Sequence, residues 1–424
     1  MARRRRLKSE PGPSPPERNP EVSTLKDSGT ADFAQVASVA RPAPRAATRR
    51  VPLGVILKTW NTGESTQLCL DAVARADALP EQIAIVDLGE DDETRAYAAG
   101  LADQLGFALT WLPVGHRLAP GPANRLAFDS IETPLVCLLD NDVLVPRNWL
   151  GPTTALLASP DVGLVAPIRP DPFLAYPDLP SVAQSSANQT GEIAPGAAGI
   201  DAFAAGEMLS QAHSTEAVLD GLKSLQTSEL WESGGPGQLA DAAHPTGRRL
   251  SLAEIADRFT GGQPLDVFGR RVRDANHLQH TARVEFPSML SSCCLFFDRA
   301  VVEEVRGVAD PAFDRCYGSE DVDLSWRVSA AGYELVRTAD VFVLHFRHTS
   351  LVANSVDFET ELRSANQTLY SRWRKRLLVW AVDRVRAGDS VADLSWRFII
   401  RELNRNTSFA VDLEAALGRA SSSR

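Results

Sequence analysis

Two carboxylates one residue apart, Asp140 and Asp142, stand immediately after the apolar run LVCLL. At the end of a buried strand such a pair offers hard oxygen ligands suited to Mg2+ or Mn2+, and such an ion can bridge the two phosphates of a nucleotide. A plain turn would use the same residue types, because Asp and Asn side chains bond to nearby backbone. Glu320 and Asp321 follow Ser319, which reads as the N-cap of a helix running from Glu320 to Ala331 and stopped by Gly332. In the first turn of a helix the dipole and the free N–H groups keep a carboxylate ionised, as a general base requires, although acidic residues are favourable there with no function at all. His345 closes the strand pattern VFVLHF, with His348 three residues on. A strand-end imidazole is either a metal ligand or a hydrogen-bonded structural residue.

Elements of two kinds must hold these groups in place. From Val51 the period switches repeatedly between strand and helix: GVILKTW, a helix from about Glu64 to Asp77, QIAIVD, a helix from about Asp92 to Leu105, FALTWLP, a helix around Ala119 to Ser130, PLVCLLD, a helix opening at Pro146, and VGLVAP. The strands are apolar at nearly every position, so both of their faces are buried, which predicts an α/β fold with a mostly parallel sheet between helical layers. In such sheets ligands gather outside the carboxyl ends of the strands, where Asp140 and Asp142 fall. The alternation stops between Arg169 and Pro287, a stretch rich in Pro, Gly, Ala, Ser and Gln with two convincing helices, one from Thr215 and one from Ser251, where Ser251 and Glu254 form a capping box. Residues 169–287 are therefore expected to be an insertion near the cleft. Regular structure resumes with SSCCLFF, a short helix near Ala300, the 320–331 helix and the strand ADVFVLHF, and from about Val356 a largely helical C-terminal extension follows.

Composition narrows the function classes. With 44% hydrophobic and 23% charged residues in 424, the chain suits a folded protein with a sizeable core and excludes general disorder. Residues 1–50 carry 11 Lys and Arg against 5 Asp and Glu, leaving 33 against 49 for the rest, so a basic tail precedes an acidic body. An acidic body argues against nucleic acid as a partner, while Arg3 to Arg6 could touch an anionic lipid surface. Residues 1–49 read as a disordered, Pro-rich extension. No run of eighteen apolar residues and no standard secretory signal occur, so the expected compartment is the cytoplasm, with peripheral contact at the inner face of the membrane through the tail. The five cysteines lack the CxxC spacing of a zinc site and read as small buried hydrophobes.

Strand, Asn61, helix, strand ending in Asp87, a loop and helix carrying Asn124, the Asp-Asn-Asp triplet, the Glu-Asp-Val-Asp-Leu segment with Arg327, and a strand-end His together resemble the family 2 glycosyltransferases of GT-A fold. The resemblance covers residues 51–169 and 288–350 and reaches on to Asn366 and Trp373. It implies one GT-A domain over 51–350 and a helical extension over 351–424. It also implies that Asp142 binds the metal and Asp140 the ribose or the metal shell, that His345 completes the metal site, and that Asp87 reads the nucleobase. Glu320 and Asp321 would then hold the catalytic base, with Asn61 and Asn124 in the donor site. Two departures stand out: Asp87 is followed by Leu88, Gly89 and Glu90 where the family commonly has a second acidic residue and a Gly-Ser turn, and Asn124 is followed by Arg125, which brings a basic side chain toward the donor.

The activity implied is a Mn2+- or Mg2+-dependent inverting transfer of a sugar from a nucleotide-diphosphate donor to an acceptor hydroxyl on a saccharide, a lipid-linked glycan or a peptide. The rivals are a retaining transferase, a sugar nucleotidyltransferase built on a related fold, and a catalytically silent domain that serves as a scaffold. A Rossmann oxidoreductase is excluded, since the turn after the first strand reads KTWNTGES, with no GxGxxG.

Overall fold

The computed structural model describes residues 49–169, 251–275, 278–346, 349–391, 394 and 397–422. The basic tail, the helix expected from Thr215, His348 and most of the 169–287 segment lie outside the described residues. The chain opens with β1 (Arg49–Thr59), α1 (Gly63–Ala74), β2 (Ala78–Asp87), α2 (Asp92–Leu105), β3 (Ala108–Pro113), α3 (Pro120–Ser130), β4 (Leu135–Leu139), β5 (Val143–Leu144), α4 (Leu150–Leu157) and β6 (Val162–Ile168). Next come α5 (Leu252–Thr260), α6 (Leu265–Ala275), β7 (Thr281–Arg283), β8 (Cys294–Asp298), α7 (Arg299–Glu304), α8 (Glu320–Ala330), β9 (Glu334–Phe342) and β10 (Leu344–His345). The described part closes with α9 (Thr349–Ala353), α10 (Phe358–Arg386), α11 (Phe398–Asn406) and α12 (Phe409–Ser422).

The central sheet has eight strands in the order β3-β2-β1-β4-β8-β6-β9-β7. Strands β3, β2, β1 and β4 are mutually parallel, β6 is parallel to β9, and β8 runs antiparallel between β4 and β6. Successive residues of a strand point to opposite faces, and the pattern of burial follows: Val55, Leu57, Ile83 and Ile85 join α1, α2 and α4, whereas Ile56, Ala84, Val86 and Leu138 join α3, α7 and α8. Both faces are thus covered, which is why these strands carry almost no polar side chains. A third core, built on Phe313, Trp326, Leu369, Leu377 and Phe409, fixes the C-terminal helices against α8.

Local signals explain some element ends. The Asp91 side chain accepts the Thr94 N–H at the start of α2, and Gly106, with φ 74°, ends that helix in the left-handed region that glycine adopts without strain. The capping box at Ser251 and Glu254 is present in both directions. Three expectations change. The helix expected to open at Pro146 begins at Leu150, after a turn. The segment read as an insertion supplies β7, which pairs antiparallel with β9 at the edge of the central sheet. The continuous strand expected over ADVFVLHF divides, since β9 ends at Phe342 and the next residues leave the sheet to pair as β10 with β5.

Candidate active site

The carboxyl ends of β1, β4 and β6 and the start of α8 line one cleft that opens to solvent. Its lining brings together Asp140, Asp142, His345, Glu320 and Asp321 with Lys58, Arg169 and Tyr317.

The metal-type cluster is set by a turn and a ribbon. After β4 the chain turns through residues 140–142, and the Val143 N–H donates to the Asp140 carbonyl. The Asn141 amide donates to the hydroxyls of Thr62 and Thr66 at 2.8 Å each, tying the triplet to the start of α1. In the antiparallel ribbon of β5 and β10 His345 lies opposite Val143, and the Phe346 N–H donates to the Asp142 carbonyl. The ring is thereby delivered to the carboxylates: His345 Nε2 lies 3.1 Å from Asp142 Oδ1 and 3.8 Å from Asp140 Oδ2. One donor atom from each of Asp140, Asp142 and His345 falls within 4.8 Å of the others. Two carboxylates and one imidazole at that spacing fit a divalent cation such as Mn2+ or Mg2+.

Electrostatics tighten this cluster. Burial opposes ionisation of Asp142, but the His345 charge and the hydrogen bonds from Thr349 outweigh it and hold the carboxyl below its ordinary range. Burial likewise opposes charge on His345, and the facing Asp142 carboxylate and the Cys293 sulfur reverse that, pushing the imidazole up to about 10.

Across the cleft, α8 presents its two acidic residues differently. The Asp321 carboxylate accepts backbone N–H groups of Ser292 at 3.1 Å and Val322 at 2.8 Å. Glu320 is buried, and its Oε2 has no hydrogen-bond partner among the described residues. Burial first, and the neighbouring Asp321 charge second, push its carboxyl up to about 8. Burial also raises Asp321, against the opposing effect of its two backbone donors. Ser319 is not the side-chain cap expected from its type: at φ 63° it lies in the left-handed region, and its hydroxyl donates to Asn366 on α10 instead.

The other residues implied by the resemblance sit around the cleft rather than on its lining. Asp87 is buried at the end of β2, where its carboxylate accepts the N–H groups of Gly89 and Asp91. Asn61, with φ 54°, is exposed and donates to Asn354. A Cβ on Gly89 would meet Asn61 Oδ1 at 2.5 Å, so glycine at this position lets the two strand-end loops touch. Asn124 is buried and accepts from Lys58 Nζ at 3.0 Å. Arg125 pairs with Asp314 at 2.6 Å. Asp323 is wholly buried, bound by Arg327 on its own helix and by Arg372 and Trp373 on α10.

Sequence reasoning passed over three groups. Lys58, at the end of β1, reaches Asp140 Oδ1 at 3.4 Å as well as Asn124. Arg169, one residue past β6, donates to Ser291 Oγ and to Cys293 Sγ. Cys293 is buried as expected but is more than a small hydrophobe: burial raises its thiol, and the adjoining Arg169 and His345 more than offset this and draw it below the ordinary thiol range. The signal for Lys58 and Arg169 was their position, a cation at the carboxyl end of a buried apolar run. Among the described residues no helix is long and apolar enough to cross a membrane.

No curated protein sequence matches the chain. Among solved structures it is similar to a mannosyltransferase, PcManGT from Pyrobaculum calidifontis in complex with GDP-Man and Mn2+, with 15% identity over 90% of this chain and 75% of that one and a TM-score of 0.42. It is also similar to S. aureus TarS 1-349, at 11% identity over 84% of this chain and 72% of that one with a TM-score of 0.39, and to GalNAc-T7 with UDP, GalNAc and Mn2+, at 14%, 85%, 56% and 0.43 respectively. Residues 54–187 match the family described as Glycosyl transferase family 2. The matched stretch runs from within β1 through β6 and takes in the turn that carries Asp140 and Asp142.

Proposed function

We propose that the protein is a metal-dependent inverting glycosyltransferase that moves a sugar from a nucleotide-diphosphate donor to an acceptor hydroxyl. The observation that carries this reading is the convergence, in one cleft, of the Asp140, Asp142 and His345 cluster with the carboxylates of Glu320 and Asp321. Asp140, Asp142 and His345 would hold Mn2+ or Mg2+, which when bound supplies positive charge to a leaving diphosphate.

The chain's own residues divide the remaining work. Lys58 is a fixed ammonium beside Asp140 and can share the donor's negative charge. Asp321 is the base: two backbone donors favour its ionised form, so it can take the acceptor proton as the new bond forms. Glu320, with its carboxyl at about 8, carries a proton at neutral pH and presents a hydrogen-bond donor rather than a second negative charge. Asp87, Asn61 and Asn124 flank the donor side, where the two strand-end loops meet.

Proton NMR of the glycoside formed from an α-linked nucleotide sugar tests the inversion. A β-linked product is expected, and an α-linked product would replace the single displacement with a retaining route.

A further inference from the structure

We propose that Lys58 makes metal and diphosphate binding depend on each other: its ammonium opposes a divalent cation at Asp140 unless a diphosphate is there to share the charge. The inference rests on the metal-site and donor readings above and deepens them. Strand register puts the ammonium in place. Ile56 of β1 pairs with Leu138 of β4, and two residues further along each stretch stand Lys58 and Asp140. Side chains two apart share a face, so Lys58 leaves β1 on the side where Ile56 and Leu138 pack against α3. There Asn124 of α3 accepts from Nζ at 3.0 Å, and Asp140 Oδ1 lies 3.4 Å from the same nitrogen.

The two oxygens of Asp140 thus face different groups. Oδ1 adjoins the ammonium, while Oδ2 lies 3.8 Å from His345 Nε2, which Asp142 Oδ1 approaches to 3.1 Å. A second cation adjoins the cluster, since Arg169 Nη1 lies 3.5 Å from His345 Nδ1. The other acidic residues of the lining, Glu320 and Asp321, belong to α8 across the cleft. Two carboxylates therefore stand against two cations, and a divalent ion bound to them through a neutral imidazole leaves positive charge in excess. A diphosphate supplies the charge that balances it. The Lys58 side chain is only 14% exposed, so solvent screens the repulsion weakly. Its anchor Asn124 is buried, which keeps the ammonium beside Asp140 rather than out in solvent.

The test takes the full chain as wild type, Lys58→Gln, Lys58→Arg and Asp142→Ala. Electron paramagnetic resonance of free Mn2+ gives the affinity for Mn2+ alone, and calorimetry with UDP, GDP, ADP and CDP at saturating Mn2+ gives the affinity for diphosphate. Glutamine keeps a donor toward Asn124 and removes the charge, so Mn2+ alone should bind roughly three- to tenfold tighter. The diphosphate that wild type binds best should bind that variant roughly tenfold more weakly. Changes of opposite sign are the signature of coupling, because a merely structural loss weakens both. Arginine keeps the charge and should stay close to wild type in both measurements. Unchanged or weaker Mn2+ binding by Lys58→Gln, undiminished diphosphate binding, or an arginine variant that behaves as glutamine does would overturn the proposal. Lys58→Met carries the same expectation if glutamine does not fold. The parent readings are tested separately: Mn2+ binding by Asp142→Ala at wild-type strength would misplace the metal site, and wild type that binds none of the four diphosphates would overturn the donor reading and the coupling with it.

Discussion

His345 Nε2 stands 3.1 Å from Asp142 Oδ1 because Val143 and His345 are partners in a two-stranded ribbon set apart from the main sheet. The pairing register, rather than side-chain chance, aims the imidazole at the carboxylate. Replacing His345 by Ala removes one of three ligands and should weaken Mn2+ binding roughly tenfold, less than the loss in Asp142→Ala, where a charged ligand goes. Titration of free Mn2+ with each variant checks the order, and a larger loss in His345→Ala would reverse the assigned ranking.

Glu320 gives the fold a pH dependence of stated sign. Its carboxyl is raised by burial to about 8, from an ordinary value near 4.5. A raised folded-state value means that the fold has its full stability below the unfolded value and loses it as pH climbs toward and through about 8. Glu320→Gln keeps the neutral shape and should abolish this loss, so the difference in urea midpoint between variant and wild type should grow from pH 5 to 8 and then level off. Parallel curves for the two proteins would show that the side chain is ionised in the fold at neutral pH.

Asp321→Asn keeps shape and removes the basic oxygen. Transfer should fall by roughly two to four orders of magnitude while donor and metal binding persist. Steady-state rates alongside donor affinity separate the two effects, and near-normal transfer would move the base elsewhere.

Asp323 lies two residues on and acts through packing. It is buried, with Arg327 and Arg372 on its oxygens and the Trp373 indole donating at 2.8 Å. Asp323→Ala removes the carboxylate that pairs with buried Arg327 and should cost roughly 3–5 kcal/mol, seen as a fall in the denaturation midpoint that Asp321→Asn does not share. Equal stability of the two variants would remove this distinction between neighbours.

What the sequence made legible was mainly what depends on strand ends. Apolar strands announced the sheet, and Asp140, Asp142 and His345 were visible because polar residues directly follow buried ones. Ser319 was misjudged because residue type suggests a cap, whereas the left-handed backbone sends its hydroxyl to Asn366, a partner supplied by a distant helix. The partner of Arg125 was equally hidden, since Asp314 is brought near it only by the fold. Cys293 looked like a core residue because burial is readable from an apolar run, while a neighbouring guanidinium and imidazole are not. Division of the last strand escaped notice because the apolar run continues through Val343 to Leu344, and only the pairing of β10 with β5 breaks it.

The central claim is that this cleft breaks a nucleotide-diphosphate sugar with the help of a metal held at Asp142. The most direct measurement is release of nucleoside diphosphate from a panel of nucleotide sugars, with Mn2+ or with EDTA, by wild type and Asp142→Ala. The account predicts that wild type releases nucleoside diphosphate from at least one donor only when metal is present, and that Asp142→Ala releases none above background. Equal release by Asp142→Ala, or pyrophosphate in place of nucleoside diphosphate, would contradict it.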